Sequence, residues 1–594
     1  MYWIILVVVV VVAAILLRIF TSTRWLLKLR CWYFCFPQPK YCLIEEYDIG
    51  VPMRDGAFLS TDVYRPNSPG EQFPVIITRT PYGKRSKEDH YVITAQMFTS
   101  QGYVFIIQDV RGTSDSPGEF MPWTNEAKDS HDTFEWASQQ EWSSGSIGTF
   151  GGSYLGGVQW YSATTKSPYL KAMVPMFISQ NLYAAFIHKG IHHYQDLLLW
   201  KFRYSGTGAR TPRKISWHNE VRDHLPLITA DEKLGEVIIP YREWILHPRL
   251  DEYWDFARLD KRIDEIEVPA LLIAGWYDRF IDPMLEDFQR MKGKPSTSPA
   301  SQSRIIIGPW THRHFRKIGQ LLFGADSVFW CQYSVVLDWF DHWLKGKKKF
   351  LAEDPINLFV MGANKWRKEK EWPLARTEWT NYYLHSQGSA NTTDGDGLLN
   401  TSPPEEERED CYDYDPADPM PSIGNKMLLG DSTCGPVEQN PLEERQDVLV
   451  YTSVELEEDI EVTGPIKAVI YASSSAVGTD FFVKIVNVYP GGASFFVQSG
   501  IIRVRYRNSL TEPEPIEPEK IYRYEIDVGS TSLVFKKRHH IRIHISSSAF
   551  PEFSRNLNTG ESPELTTDLL IAHQKIFHNK KYPSHVILPV IPTR

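Results

Sequence analysis

The stretch Ser146-Ile-Gly-Thr-Phe-Gly-Gly-Ser-Tyr-Leu-Gly-Gly-Val-Gln-Trp160 decides the fold. Ile147 and Phe150 read as the end of a buried strand. Gly151, Gly152, Gly156 and Gly157 bracket Ser153, and an apolar, amphipathic run continues through Val158, Trp160 and Tyr161. Strand, glycine-pinched turn and helix together make a nucleophile elbow, which holds a serine hydroxyl on a strained turn above a parallel sheet. Glycine is needed there because a side chain would strike the neighbouring strand or helix, and because the turn demands unusual φ/ψ. The helix after Ser153 also points its N-terminal N–H groups and positive dipole end at any oxyanion formed nearby. The pattern G-x-S-x-G is not met as written, since position 155 is leucine and the next glycine is Gly156. A serine so placed becomes a nucleophile only with a base and an orienting acid further along the chain.

The chain offers both. Phe73–Thr78, Tyr103–Gln108 and Leu170–Pro175 are short apolar runs between turn signals, and the alternation resumes at Val268–Ala274 and Arg304–Ile307. Strands apolar on both faces belong to a parallel sheet covered by helices. Ala274-Gly-Trp-Tyr-Asp278 ends one such strand and Gly308-Pro-Trp-Thr-His312 the next. The carboxyl ends of parallel strands are where catalytic groups gather, so Ser153, Asp278 and His312 are expected on one edge of the sheet. Serine, acid, histidine is also the chain order of α/β-hydrolases. His312 would take the Ser153 proton and return it to the leaving group, while Asp278 fixes the imidazole tautomer. Asp282 and His314 are the second choices for acid and base.

Outward from this core, 594 residues imply more than one domain. The expected division is a transmembrane anchor over 1–20, a juxtamembrane segment over 21–42, and a hydrolase domain over 43–184 and 266–350. A helical cap is inserted over 185–265, and an all-β jelly roll covers 351–594. The cap reading rests on a break in rhythm rich in Trp, Tyr, His and charge. The jelly roll rests on period-two runs such as Phe481–Val486, Ile501–Tyr506 and His540–Ser546. A helix is expected over 334–343. Tyr2–Leu17 is a nearly unbroken apolar run with no basic residue before it and no small-residue cleavage site after it. It reads as an uncleaved single-pass membrane anchor rather than a secretory signal. Arg18, Arg24, Lys28 and Arg30 favour a cytoplasmic bulk, whereas the sequons at Asn391 and Asn400 fit a lumenal one, so the side stays open. A net charge of −9 over this length, without a long basic stretch, excludes a nucleic-acid partner.

Six cysteines in so long a chain make no disulfide framework, and none has zinc-ligand spacing with histidine. Cys411 and Cys434 read as two structural thiols, with pairing open if the domain is lumenal. Cys31, Cys35 and Cys42 are either acylation sites or ordinary thiols. His188 and His192 lie four apart on an expected cap helix, without an acidic or thiol partner for a metal. No metal or cofactor is expected. Asp109, Arg111 and Asp115 read as a buried ion pair bracing the loop after their strand. Trp276, Tyr277, Phe280 and Trp310 are candidates for the acyl-pocket lining.

The elbow, the Gly-Trp-Tyr-Asp segment and the Gly-Pro-Trp-Thr-His segment together resemble the cocaine esterase / X-prolyl dipeptidyl-peptidase family of serine hydrolases. Arg79-Thr-Pro-Tyr-Gly-Lys84, Asp109–Gly118, Cys434-Gly-Pro and Arg555–Gly560 extend the likeness from about residue 43 to the C-terminus. The resemblance implies an α/β-hydrolase domain, an inserted helical cap and a C-terminal jelly roll. It also implies that the Tyr82 hydroxyl and the backbone N–H of Tyr154 form the oxyanion hole. The expected function is a serine hydrolase cleaving small-molecule esters or amides through an acyl-enzyme. The alternatives are an X-prolyl dipeptidyl-peptidase, or a catalytically idle, membrane-tethered interaction module.

Overall fold

The computed structural model describes residues 23–86, 90–205, 219–259, 262–313, 315–347, 354–429 and 433–592. The chain divides into two compact units. The first comprises residues 1–175, 266–271 and 329–352, and the second 176–265, 272–328 and 353–594.

In the first unit, β1 (Leu43–Pro52) and β2 (Phe58–Pro66) form an antiparallel hairpin. They are followed by β3 (Phe73–Thr80), β4 (Val104–Asp109), β5 (Ser143–Gly152) and β6 (Leu170–Met176), in the spatial order β1-β2-β4-β3-β5-β6. The hairpin joins antiparallel through β2 and β4, whereas β3 runs parallel to both β4 and β5. Every residue of β3 and β4 is buried, as a parallel sheet covered on both faces requires. The helix Gln332–Lys345 packs on β5 so closely that a Cβ at Gly148 would lie 2.5 Å from Cε1 of Phe340. That helix outruns the expected 334–343 by two residues at each end.

In the second unit, Leu271–Gly275, Arg304–Gly308 and Ile356–Val360 are successive sheet neighbours, the last two parallel. Residues 378–591 form a largely antiparallel β domain, built on the long pair Ile460–Ser474 and Tyr522–Phe535 and on Asp480–Val488 between Ser494–Arg503 and His540–Ser546. The strand expected over 501–506 stops at Arg503 and turns into a 3₁₀ segment, Val504–Tyr506. There the Arg503 guanidinium is buried in an ion pair with Asp480, Nε to Oδ1 3.0 Å.

The region expected as a cap carries, among its described residues, helices at Tyr194–Tyr204 and Ile239–Leu246 and 3₁₀ segments at Leu227–Leu234 and Glu252–Ala257. Its first turn corrects one expectation. His188 and His192 do not share a helix face; Ile187–His188 and Ile191–His192 form a short antiparallel hairpin. Lys189 and Gly190 both have positive φ, 47° and 84°, which a two-residue turn of this hand demands. His192 is spent internally, one ring nitrogen on Glu564 and the other on the Trp244 carbonyl, both at 3.1 Å.

That contact carries a pH dependence. Burial would raise the Glu564 carboxyl, but His192 and Arg503 overcome it and hold it near 2 instead of its ordinary 4.5. Glu443, buried beside His544 and Arg542, is likewise held near 2. Because the folded values lie below the unfolded ones, the stability these groups contribute is present above 4.5 and lost as pH falls toward 2. The melting temperature should drop over that window, each group accounting for on the order of 2 kcal/mol. Glu564→Gln should flatten the acid limb and lower the plateau above pH 5; a parallel, undiminished acid limb in the variant would refute the assignment.

The membrane expectation is corrected. No helix among the described residues is long and apolar enough to cross a membrane, and the run over residues 1–20 lies outside them. The first described helix, Thr23–Tyr33, has 11 residues and carries Lys28 and Arg30, against the roughly 20 apolar residues a span needs. Neither the single-pass anchor nor membrane association through an N-terminal helix is therefore retained. Cys31, one of the candidate acylation sites, is fully buried, and burial pushes its thiol up to about 11. Cys411 is exposed, whereas Cys434 is buried with its thiol donating to Asn425 Oδ1 at 3.1 Å, and the two are not joined by a disulfide. The Asn391 amide nitrogen, which a glycan would need, donates to the carbonyls of Cys411 and Gln446.

Candidate active site

In the first unit, β5 ends in Gly152 and the helix Tyr154–Ala163 starts directly after Ser153. Ser153 has φ 56° and ψ −129°, a conformation that costs a non-glycine residue on the order of 1–3 kcal/mol. Gly151 makes the turn possible: its φ is 146°, and a Cβ there would lie 2.5 Å from that of Leu155. The Ser153 carbonyl accepts the N–H groups of Gly156 and Gly157 at 2.8 and 3.0 Å, closing the first helical turn. The helix therefore begins immediately after the serine.

The Tyr154 side chain is fixed away from this end. It is 1% exposed, stacks on Trp123 and donates its hydroxyl to Glu126 at 2.6 Å. Glu126 is paired in turn with Arg79, 2.8 Å, and Arg79 also donates to Gln108 and Ser130. Burial raises the Glu126 carboxyl despite Arg79. Tyr82, three residues beyond Arg79, has its ring 6.5 Å from that of Tyr154 and donates its N–H to Thr80 Oγ1.

The brace expected from Asp109, Arg111 and Asp115 exists, but with a different cation. Lys84, its side chain 2% exposed, reaches Asp115 at 2.6 Å and Asp109 at 3.2 Å, and its N–H donates to Asp109 at 2.7 Å. Arg111 instead pairs with Asp129 and Asp55. Burial raises Asp109 to about 6 against the opposing pull of Lys84. Lys84 stands two residues after Tyr82, so this buried pair fixes the loop that carries the tyrosine.

In the second unit, the turns after Leu271–Gly275 and Arg304–Gly308 interlock. Trp276 N–H donates to the Gly308 carbonyl and Tyr277 N–H to the Trp310 carbonyl, at 2.8 and 3.0 Å. A Cβ at Gly275 would sit 2.2 Å from the Trp310 carbonyl oxygen, so the approach depends on glycine. It brings the Nδ1 of His312 to 2.7 Å from Oδ2 of Asp278. The other Asp278 oxygen accepts the Phe280 N–H at 2.8 Å, and the carboxylate is 1% exposed. With Nδ1–H given to a carboxylate, the imidazole is held in the tautomer whose Nε2 accepts a proton.

Of the second choices, Asp282 accepts the Ser530 N–H at 2.8 Å rather than a histidine, and His314 lies outside the described residues. Phe280 faces the imidazole, with ring centroids 5.7 Å apart, and Tyr277 lines a cavity of about 220 Å³ with Phe323 and Phe496. Trp276 and Trp310 are fully buried, and their indole N–H groups are bound to the Phe359 and Ser327 carbonyls; they pack the strand ends rather than line a pocket. Phe177, which sequence reasoning missed, stands edge-on to His312 at 6.1 Å. Its φ of 51° follows directly on the end of β6, a position that hydrophobic periodicity does not mark.

The sequence profile described as X-Pro dipeptidyl-peptidase (S15 family) matches residues 55–314, and that of the X-Pro dipeptidyl-peptidase C-terminal non-catalytic domain matches 349–587. Cocaine esterase of Rhodococcus sp. (strain MB1 Bresler) is 37% identical over 573 residues, covering 92% of this chain and 98% of its own. Two solved structures share the fold at a TM-score of 0.81. An aminopeptidase from the marine sediment archaeon Thaumarchaeota archaeon does so at 24% identity and an α-amino acid ester hydrolase at 22%, each covering 93% of this chain and 97% of its own. The chain belongs to the cocaine esterase / X-Pro dipeptidyl-peptidase family and is a serine hydrolase.

Proposed function

We propose that this protein hydrolyses carboxylic esters through a covalent acyl-enzyme, with Ser153 as nucleophile, His312 as general base and Asp278 as the acid that orients it. The observation that carries this reading is the 2.7 Å bond from His312 to a buried Asp278, which leaves Nε2 as the proton acceptor. Ser153 Oγ loses its proton to His312 as it attacks the ester carbonyl. The resulting oxyanion is held by the Tyr154 N–H and the Tyr82 hydroxyl, and collapse expels the alcohol, protonated by His312. Water then repeats the sequence on the acyl-serine. Phe280 and Phe177, beside the imidazole, supply apolar surface for the acyl group. An ester is favoured over an X-prolyl peptide because the 37% identity is to an esterase and spans nearly both chains.

A fluorophosphonate probe should label the wild-type chain and not Ser153→Ala; an unlabelled wild type would overturn the reading. Comparing a p-nitrophenyl acyl ester with a Gly-Pro anilide separates ester from dipeptide chemistry. Turnover of the anilide alone would replace the ester assignment with the peptidase. Tyr82→Phe should lower kcat about 10²–10³-fold, the usual effect of losing one oxyanion donor. KM and melting temperature should be little changed, and undiminished kcat would remove Tyr82 from the mechanism.

A further inference from the structure

The two groups proposed to hold the oxyanion lie on separate segments of the first unit, the Tyr82 hydroxyl beyond β3 and the Tyr154 N–H beyond β5. One buried carboxylate is tied to both segments. Glu126, 4% exposed, opens the helix Glu126–Ser138. Its Oε1 accepts the Tyr154 hydroxyl at 2.6 Å, and its Oε2 accepts Nη1 of Arg79 at 2.8 Å. Neither partner atom takes part in the proposed acyl transfer.

The path from each partner to its donor is short and stiff. The side chain and the N–H of Tyr154 share one Cα, so fixing the ring fixes the direction of the N–H. That ring is stacked on Trp123 at 4.8 Å, and its hydroxyl oxygen also accepts the Trp123 N–H at 3.1 Å. Trp123 presents this N–H from φ 62°, a backbone that a bulky residue keeps only where its surroundings over-determine it. On the other side, Arg79 is gripped by Gln108, Ser130 and the Glu126 carbonyl. Only Thr80 and Pro81 separate it from Tyr82. The Thr80 carbonyl accepts the Val110 N–H at 2.9 Å, Pro81 has its φ set by the ring, and the Tyr82 N–H closes on Thr80 Oγ1 at 3.0 Å. A displacement of Arg79 is therefore passed on to Tyr82 rather than absorbed. The rings of Tyr82 and Tyr154 meet at 6.5 Å.

A buried ion pair is weak evidence for stability, since well-packed apolar residues of the same volume often serve as well. Position is a different matter. An oxyanion hole acts only on charge that develops within reach of both donors, and a misplacement of about 1 Å costs on the order of 10²-fold in rate. We propose that Glu126 is a positioning residue for the oxyanion hole, its two carboxylate oxygens setting the separation of the Tyr154 N–H and the Tyr82 hydroxyl through Tyr154 and Arg79. The proposal rests on the acyl-transfer reading above. Glutamine keeps the shape of Glu126 but offers one acceptor oxygen and one NH₂ group, so it serves Tyr154 or Arg79 and not both.

The test uses the full chain, with kcat and KM for a p-nitrophenyl ester referred to active sites titrated with a fluorophosphonate, and butylboronic acid as a second probe. The boronate adduct of a serine hydroxyl is a tetrahedral anion, so its inhibition constant reads the oxyanion hole without turnover. Glu126→Gln should lower kcat about 10–100-fold, weaken butylboronic acid by a similar factor and change KM less than about threefold. Tyr154→Phe breaks one link and leaves the backbone N–H in place; it should lower kcat and boronate affinity together by about 3–10-fold. Glu126→Gln combined with Tyr82→Phe should lose less than the product of the two single losses, because a donor already absent cannot be misplaced. The proposal is overturned if kcat of Glu126→Gln stays close to wild type, if kcat falls while butylboronic acid binds as it does to wild type, or if the two losses multiply in full. Should Glu126→Gln fail to fold, Tyr154→Phe decides alone, and wild-type kcat in that variant overturns the proposal. Undiminished kcat in Tyr82→Phe removes the oxyanion assignment itself; a loss of about 10²–10³-fold there beside an unaffected Glu126→Gln overturns the positioning role alone.

Discussion

Ser153→Ala is expected to lower kcat on a p-nitrophenyl ester by about 10⁴–10⁶-fold, the loss seen when a serine nucleophile is removed from an otherwise intact site. The protein should stay folded, because alanine and serine meet the same backbone penalty at φ 56°. That penalty makes a second comparison informative. Ser153→Gly should be equally inactive yet more stable than Ser153→Ala by roughly 1–2 kcal/mol, since glycine adopts this conformation without a Cβ clash. The cost of holding serine there would then appear directly as a stability difference between two dead variants. A Gly variant no more stable than the Ala variant would mean the turn is not strained. Substantial residual turnover in either would mean that the nucleophile lies elsewhere.

The elbow was legible in the sequence because its physics is local. Gly151 sits where a Cβ would strike Leu155 four residues on, so turn, clash and helix start fall within one short window. Asp278 and His312 were legible for another reason. Each follows an apolar run too short for a helix and ends at a glycine, and the sheet brings such ends together whatever lies between them in the chain. Lys84 was not legible as the partner of Asp109, because nothing near either residue marks a contact across 25 positions. Arg111, only two residues from Asp109, was the nearer guess, and its charge goes instead to Asp129 on the following helix. The histidine pair at 188 and 192 misled because a spacing of four fits one helical turn and also a tight hairpin. Lys189-Gly190 was the turn signal, and the Tyr506 ring, 2.2 Å from where a Cβ at Gly190 would stand, packs against it. Trp276 and Trp310 illustrate a further limit. Composition cannot separate a tryptophan lining a pocket from one whose indole closes a strand end on a backbone carbonyl.

Asp278→Asn is the sharper test of the proposed chemistry, because it changes almost nothing but a proton. The amide has the shape of the carboxylate, and its oxygen can still accept the Phe280 N–H that Asp278 now receives at 2.8 Å. Its NH₂ group then faces His312 Nδ1, a donor opposite a donor. The ring must surrender the Nδ1 proton and carry it on Nε2, the nitrogen required as base. Turnover should fall about 10⁴-fold at neutral pH, as expected when the tautomer is wrong and the geometry is kept. Burial gives this substitution a distinct signature. With the residue 1% exposed, water does not substitute for the lost acceptor, and the imidazolium formed during attack is no longer stabilised by a facing charge. Fluorophosphonate labelling of Asp278→Asn should therefore slow in step with ester turnover, while KM stays near the wild-type value. A variant that loses turnover but is labelled at the wild-type rate would show that Asp278 serves a later step. Activity within tenfold of wild type would show that the bond between residues 278 and 312 is structural and that the base for Ser153 must be sought elsewhere.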